Sequence, residues 1–233
     1  MTDKHFSSQY ENELHVVSAR LTELECRVNV QISQVIEALT HSDVAGAHRV
    51  LAAEAEVNAL EVDIDHEITC IIAKRQPVAR DLRLLMAISK VVGNLEHVGK
   101  EVDRMAHRVL ALVCSAASYT LPSQELSVAA DFATGQLRKA LGAFTQLDLA
   151  EAVAVMKKDD QGYRDLETLV RKLIGLMIES PQMISFCVEL IYVTKSLELI
   201  LNNASHIAEQ VTYVVQGTDV RHTPLEQIES LAK

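Results

Sequence analysis

The chain has 233 residues, enough for one large domain or two smaller ones, and either can bury a substantial core. Apolar residues make up 48% of it, aromatics only 4%, and Trp is absent, which suits packed helices built on Leu, Val, Ile and Ala better than a β-sandwich. A net charge of −10 argues against a general nucleic-acid binder, which carries a basic surface.

The opening MTDKHFSSQYENELH is polar and has no apolar signal core, and no apolar run reaches the roughly 18 residues that span a bilayer. The sequence therefore predicts a cytoplasmic protein with no direct membrane insertion. The first helix is predicted from about Phe6 to Leu39, with Leu14, Val17, Leu21, Leu24, Val28, Ile32, Val35 and Leu39 on one face. His41-Ser42-Asp43 reads as a turn, and Ser42 or Asp43 can cap a second helix that runs to about Lys74.

Pro77 lacks a backbone N–H and disfavours helix at Gln76, so it separates the second helix from a third that reaches about Ala116. On that third helix Leu82, Leu85, Ser89, Val92, Leu95, Gly99, Val102, Ala106, Val109 and Val113 recur every three or four residues. Glu96, Lys100 and Asp103 share a neighbouring face. Gly93 and Gly99 cost helix stability, and the reading is that a neighbouring helix approaches closely there.

Ser115 to Gln124 reads as the linker, with Ser123 capping a fourth helix that runs to about Leu147. Asp148-Leu-Ala-Glu151 has capping-box spacing and opens a fifth helix. Ser180-Pro181 opens a sixth, which Gly217 ends, followed by a mobile tail from Thr218 with one short turn after Pro224. Leu95-Glu96 recurs as Leu197-Glu198, each preceded by a lysine (Lys90, Lys195) and followed by an alanine (Ala106, Ala208), which points to an internal duplication. The predicted fold is all-α: two tandem antiparallel three-helix bundles, residues 1–116 and 117–217, with a tail at 218–233.

Cys26, Cys70, Cys114 and Cys187 stand singly in separate helical patterns and read as buried free thiols in a reducing compartment. No Gly-rich phosphate loop, H-E-x-x-H or nucleophile elbow occurs, so the sequence predicts no enzyme. The cluster Lys74, Arg75, Arg80 and Arg83 around Pro77 is the one concentrated basic patch. It reads either as a docking point for an acidic partner surface or an anion, or as dipole compensation by Lys74 and Arg75 with Arg83 paired to an acid on a neighbouring helix.

The string Ile71-Ile-Ala-Lys-Arg-Gln-Pro-Val-Ala-x-Asp-Leu-Arg83 resembles the signature of the PhoU family, regulators of bacterial phosphate uptake. So do Glu61-x-x-x-Asp65, Ile88-Ser-Lys90, Asn203-x-x-x-Ile207-Ala-Glu, Tyr213 and Gly217-Thr-Asp, and the likeness covers essentially the whole chain. The resemblance implies a non-enzymatic, often dimeric cytoplasmic protein, peripheral to the inner membrane through its partners. It implies a negative regulator that contacts the ATP-binding subunit of the phosphate ABC transporter and a phosphate-sensing histidine kinase. It further implies carboxylate pairs that bind Mg²⁺, Mn²⁺ or iron. In the first bundle these are Glu61, Asp65 and Glu96, but Lys100 and His97 replace the family's aspartate and arginine. In the second, Asp159 and Glu198 remain, while Tyr163 and Asn202 stand where their partners are expected, and Leu199 and Leu201 replace the family's arginine and glycine.

An ammonium among carboxylates repels a divalent cation, so Lys100 is expected to pair with Glu96 and Glu61 and to stand in for the metal's charge. A site rearranged around His66, His97 or His107, with Asp63 and Glu67, is weighed against solvated side chains, and the second is favoured; His206 takes the same reading. An ion buffer with a degenerate carboxylate cluster is the alternative function. Exposed apolar side chains on helices this long point to a homodimer.

Overall fold

The apolar face of the first helix forms as its spacing requires: Val17, Leu21, Leu24, Val28, Ile32, Val35 and Leu39 are all buried in the computed structural model. The structure describes residues 2–114, 122–157, 161–221, 223–224 and 226–228. Among them are seven α-helices and no strand: α1 (Thr2–His41), α2 (Val44–Arg75), α3 (Ala79–Cys114), α4 (Ser123–Gln146), α5 (Leu149–Met156), α6 (Gln161–Glu179) and α7 (Ile184–Gln216).

Helices α1 to α3 form one antiparallel bundle. Helix α4, the pair α5 and α6, and α7 form the second. The predicted fifth helix is divided, because Lys157 takes an extended conformation (φ −72°, ψ 113°) after Met156. In the sequence Lys157 opens a run without an apolar residue that lasts to Gly162.

The ends of the helices bear out some expectations and correct others. Asp148 caps α5 by accepting from the amides of Ala150 at 2.9 Å and Glu151 at 3.1 Å. Asp43 takes the N-cap position of α2, where the Gly46 amide, Arg49 at 3.1 Å and the Ala45 amide hold its carboxyl below the usual range, although its cap geometry is not that of a regular side-chain cap bond. Pro122, rather than Ser123, occupies the N-cap of α4. Ser180 makes no side-chain cap; a 3-10 turn, Pro181–Met183, precedes α7. Gly217 ends α7 with φ +76°, its amide donating to the Tyr213 carbonyl at 3.0 Å. Most of the predicted linker, residues 115–121, lies outside the described residues, as does Asp159.

The glycine expectation fails. A Cβ added at Gly93 would meet nothing within 4 Å, and one at Gly99 would make only ordinary contact with Val57 at 3.5 Å. After α7, Val220 and Ile228 are buried in the core. Of the cysteines, Cys187 is buried, Cys70 partly so and Cys26 exposed; the Cys114 side chain lies outside the described residues.

The two bundles share one connected hydrophobic core, and the seam between them is α3 against α7. These helices run antiparallel. Arg83 donates to the Val214 carbonyl at 3.3 and 3.2 Å, Ser196 donates to Glu101 at 2.9 Å, and Arg108 pairs with Glu189 at 3.1 Å. Helix α3 is therefore buried on two faces. Leu85, Val92 and Leu95 belong to the predicted stripe and Ile88 lies along the same face, while Val91, Val98 and Met105 extend burial beyond it.

Candidate functional site

Residues four apart share a helix face, so Glu61 and Asp65 on α2 stand together opposite Glu96 and Lys100 on α3. Glu96 is buried, at 7% exposed, and the Lys100 ammonium is in direct contact with its carboxylate. The other oxygen of Glu96 faces His97 Nε2 at 3.9 Å. Asp65 accepts from the Ser89 hydroxyl at 2.8 Å. Burial, then the charges of Glu96 and Asp65, push the Glu61 carboxyl above its usual range, while Lys100 and His97 pull it back. Glu96 in turn holds the Lys100 ammonium above the usual lysine range, with Glu61 and Glu54 adding to the effect.

An oxygen cage for Mg²⁺ or Mn²⁺ needs several carboxylates turned to one point. Here one carboxylate is neutralised by an ammonium and a second is hydrogen-bonded to a serine. Among the described residues no three of His, Cys, Asp and Glu converge so as to hold a metal ion. This donor set does not fit a divalent cation. The neighbouring acids are also engaged: Arg20 of α1 pairs with Glu67 at 3.1 Å and with Asp63 at 3.5 Å. His107 lies 3.7 Å from Asp103, and His66 Nε2 lies 3.6 Å from Cys70 Sγ. The contributions of Ser89 and Arg20 are not readable from spacing, because both reach the acids from another helix.

The raised Glu61 carboxyl gives a sign to its pH dependence. A carboxyl that is harder to ionise in the folded state leaves the fold most stable below the ordinary carboxylate range, and that stability is lost as pH rises through the elevated pKa. Glu61→Gln is therefore expected to raise the melting temperature at about pH 7 and to match the unaltered chain at about pH 4. Thermal melts at the two pH values check it.

In the second bundle the corresponding place is a groove of about 360 Å³ between α6 and α7, lined in part by Tyr163, Glu167, Arg171, Lys195, Glu198 and Asn202. Tyr163 stacks edge-on against Phe132 with ring centres 5.7 Å apart. Lys195 pairs with Glu198 at 2.5 Å and Arg171 with Glu167 at 3.5 Å, so the groove carries balanced charge.

The basic patch divides into engaged and exposed members. Arg75 makes a two-pronged pair with Glu13 of α1, at 2.9 and 2.8 Å. Arg83 reaches the carbonyl of Val214 near the C-terminal end of α7, where the helix dipole favours a cation. Lys74 and Arg80 face solvent at the turn, beside exposed Val78, Leu82 and Met86. The turn itself is strained, with Gln76 and Ala79 both left-handed at φ +50°, a conformation that L side chains rarely take.

Residues 21–109 and 126–211 each match the PhoU domain. The chain is 39% identical, over 98% of its length, to the phosphate-specific transport system accessory protein PhoU homolog of a Burkholderia species, 97% of which is covered. It is 32% identical, over 98% of its length, to the phosphate-specific transport system accessory protein PhoU of Escherichia coli K12, 94% of which is covered. The crystal structure of PhoU from Pseudomonas aeruginosa matches with a TM-score of 0.84 at 33% identity, covering 90% of this chain and 100% of that one. A regulatory PhoU structure from Streptococcus pneumoniae matches with a TM-score of 0.82 at 23% identity over 91% of this chain and 99% of that one, a likeness of fold alone.

Proposed function

The chain belongs to the PhoU domain family, and from that membership we propose that it is a non-enzymatic accessory regulator of phosphate transport. Its action is negative: it restrains the phosphate ABC transporter through the ATP-binding subunit and keeps the phosphate-sensing histidine kinase inactive when phosphate is plentiful. The observation that carries this reading is likeness along nearly the full length of relatives named as phosphate transport accessory proteins. No helix among the described residues is long and apolar enough to cross a membrane, which suits a cytoplasmic protein that meets the membrane through its partners. The reading includes a homodimer, which light scattering tests. Capture of the transporter's ATP-binding subunit by the purified chain tests the partner. Deletion of the gene, with starvation genes followed in phosphate-rich medium, tests the sign.

The alternative of an ion buffer is disfavoured by the lysine seated on Glu96. Recognition is placed instead on the exposed part of the Gln-Pro turn, where Arg80 stands beside Val78, Leu82 and Met86. Charge at an interface rim governs encounter with an acidic partner. Arg80→Glu is therefore expected to weaken capture of the ATP-binding subunit by about tenfold while changing stability by less than about 0.5 kcal/mol. Arg83→Ala, by contrast, is expected to destabilise the fold by about 1–3 kcal/mol through loss of its bonds to the Val214 carbonyl. Capture unchanged by Arg80→Glu removes the docking assignment.

A further inference from the structure

A groove of about 340 Å³ lies between α3 and α7, close to the segment that follows α7. Lys90, Gly93 and His97 line one side, His206, Glu209 and Gln210 the other, and Arg221 joins from the C-terminal segment; no aliphatic side chain lines it. Its lining holds two permanent cations and one carboxylate, with Asp219 paired to Arg221 from outside the lining. The α6–α7, α1–α2 and α1–α4 grooves each hold at least as many carboxylates as cations. In a chain of net charge −10 an excess of cations facing a cavity is unusual.

The cations are positioned in advance. The Lys90 ammonium sits over the Tyr213 ring at 4.7 Å, and Arg221 is held by Asp219 through bonds of 2.6 and 3.0 Å. Two further observations point to a ligand. Gln210 is only 4% exposed; its amide nitrogen donates to the His206 carbonyl at 3.3 Å, yet its Oε1 accepts no hydrogen bond among the described residues. A buried acceptor without a donor is costly and calls for one. Gly93, inside α3, lines the groove, and a Cβ there would meet nothing within 4 Å, as at Gly135, Gly142 and Gly175. What its missing side chain preserves is open space in the groove.

We propose that this groove binds a small oxyanion that carries a hydroxyl, the chemistry of hydrogenphosphate. Lys90 and Arg221 meet its charge, the imidazoles of His97 and His206 supply further hydrogen-bonding groups, and Gln210 Oε1 accepts from its hydroxyl. Sulfate has similar size and charge but no proton to donate at neutral pH, so the groove discriminates against it. The inference rests on the groove's own chemistry and stands or falls apart from the regulatory reading.

Calorimetric titration of the full chain with inorganic phosphate, and separately with sulfate, tests it. Saturable uptake of one phosphate is expected, about tenfold or more tighter than sulfate. Gly93→Leu fills the groove with a better helix former, so it is expected to weaken phosphate binding about tenfold or more while keeping or raising the melting temperature. Lys90→Gln is expected to weaken binding to a similar degree without altering the circular dichroism spectrum. Absence of saturable phosphate binding, equal affinity for sulfate, or binding unaffected by Gly93→Leu in a folded chain overturns the proposal.

Discussion

Leu197→Ala is expected to destabilise the whole chain by about 2–5 kcal/mol, a fall of about 5 to 15 °C in melting temperature, and to do so in a single transition. Leu197 is fully buried on α7, with buried Val193, Ile200 and Leu201 on the turns either side of it. The apolar side chains of both bundles belong to one connected cluster that runs through the α3–α7 seam. Truncating a leucine there removes transfer free energy and leaves a cavity that helices held from both sides close only in part. Leu95→Ala, at the equivalent place on α3, is expected to behave alike. Ile178→Ala, at a side chain 77% exposed, is the control and should change stability by less than about 0.5 kcal/mol. Calorimetric unfolding decides the matter. If two transitions appear and Leu197→Ala moves only one, the bundles are separate folding units and the shared core does not couple them.

The seam is the part of the fold least legible in the sequence, and the reason is physical. Period-3.6 reading finds one apolar face per helix, and on α1 that suffices, since its stripe from Val17 to Leu39 is the buried face observed. On α3 the stripe was legible, but buried Val91, Val98 and Met105 lie off it. Helix α7 packs along that side of α3, where Arg83, Glu101 and Arg108 find their partners, and nothing local to α3 says that it will. The division of the fifth helix was legible in principle, in the polar run that begins at Lys157.

The family-like residues make sense only once folded. Arg83 reaches Val214, 131 residues away, and Gly217 leaves room for its guanidinium, the nearest atom of which would lie 3.4 Å from an added Cβ. Lys90 lies over Tyr213, and its charge helps hold the Asp219 carboxyl down, at about 2, after the hydrogen bonds from Arg221. A signature scattered along the chain thus converges where the start of α3 meets the end of α7. The pairing of Lys100 with Glu96 was legible because four residues make one helical turn. The partners of Arg75 and Arg83 were not, because they lie 62 and 131 residues off on other helices. Only Arg80 of the predicted docking arginines is left to face a partner without first breaking an internal bond.

Lys100→Asp is expected to create a divalent-cation site between α2 and α3. Glu61 and Asp65 on α2 already lie opposite Glu96 on α3, and a carboxylate at position 100 would complete two pairs on adjacent helices, the oxygen-rich arrangement that suits Mg²⁺ or Mn²⁺. Without metal, four acids at close quarters repel one another, and burial already raises the Glu61 carboxyl, so the metal-free variant should melt below the unaltered chain. Mn²⁺ should then bind with one-to-one stoichiometry and raise its melting temperature by about 5 °C or more at a hundredfold excess over Kd. The unaltered chain should show neither effect, because its ammonium occupies Glu96 and repels a second positive charge. Lys100→Ala separates the two contributions: it removes the repulsion without adding a ligand, so it should lose stability and gain only weak binding. Stoichiometric Mn²⁺ uptake by the unaltered chain at neutral pH would show that Lys100 swings aside, and the idea of a built-in cation would then have to be abandoned.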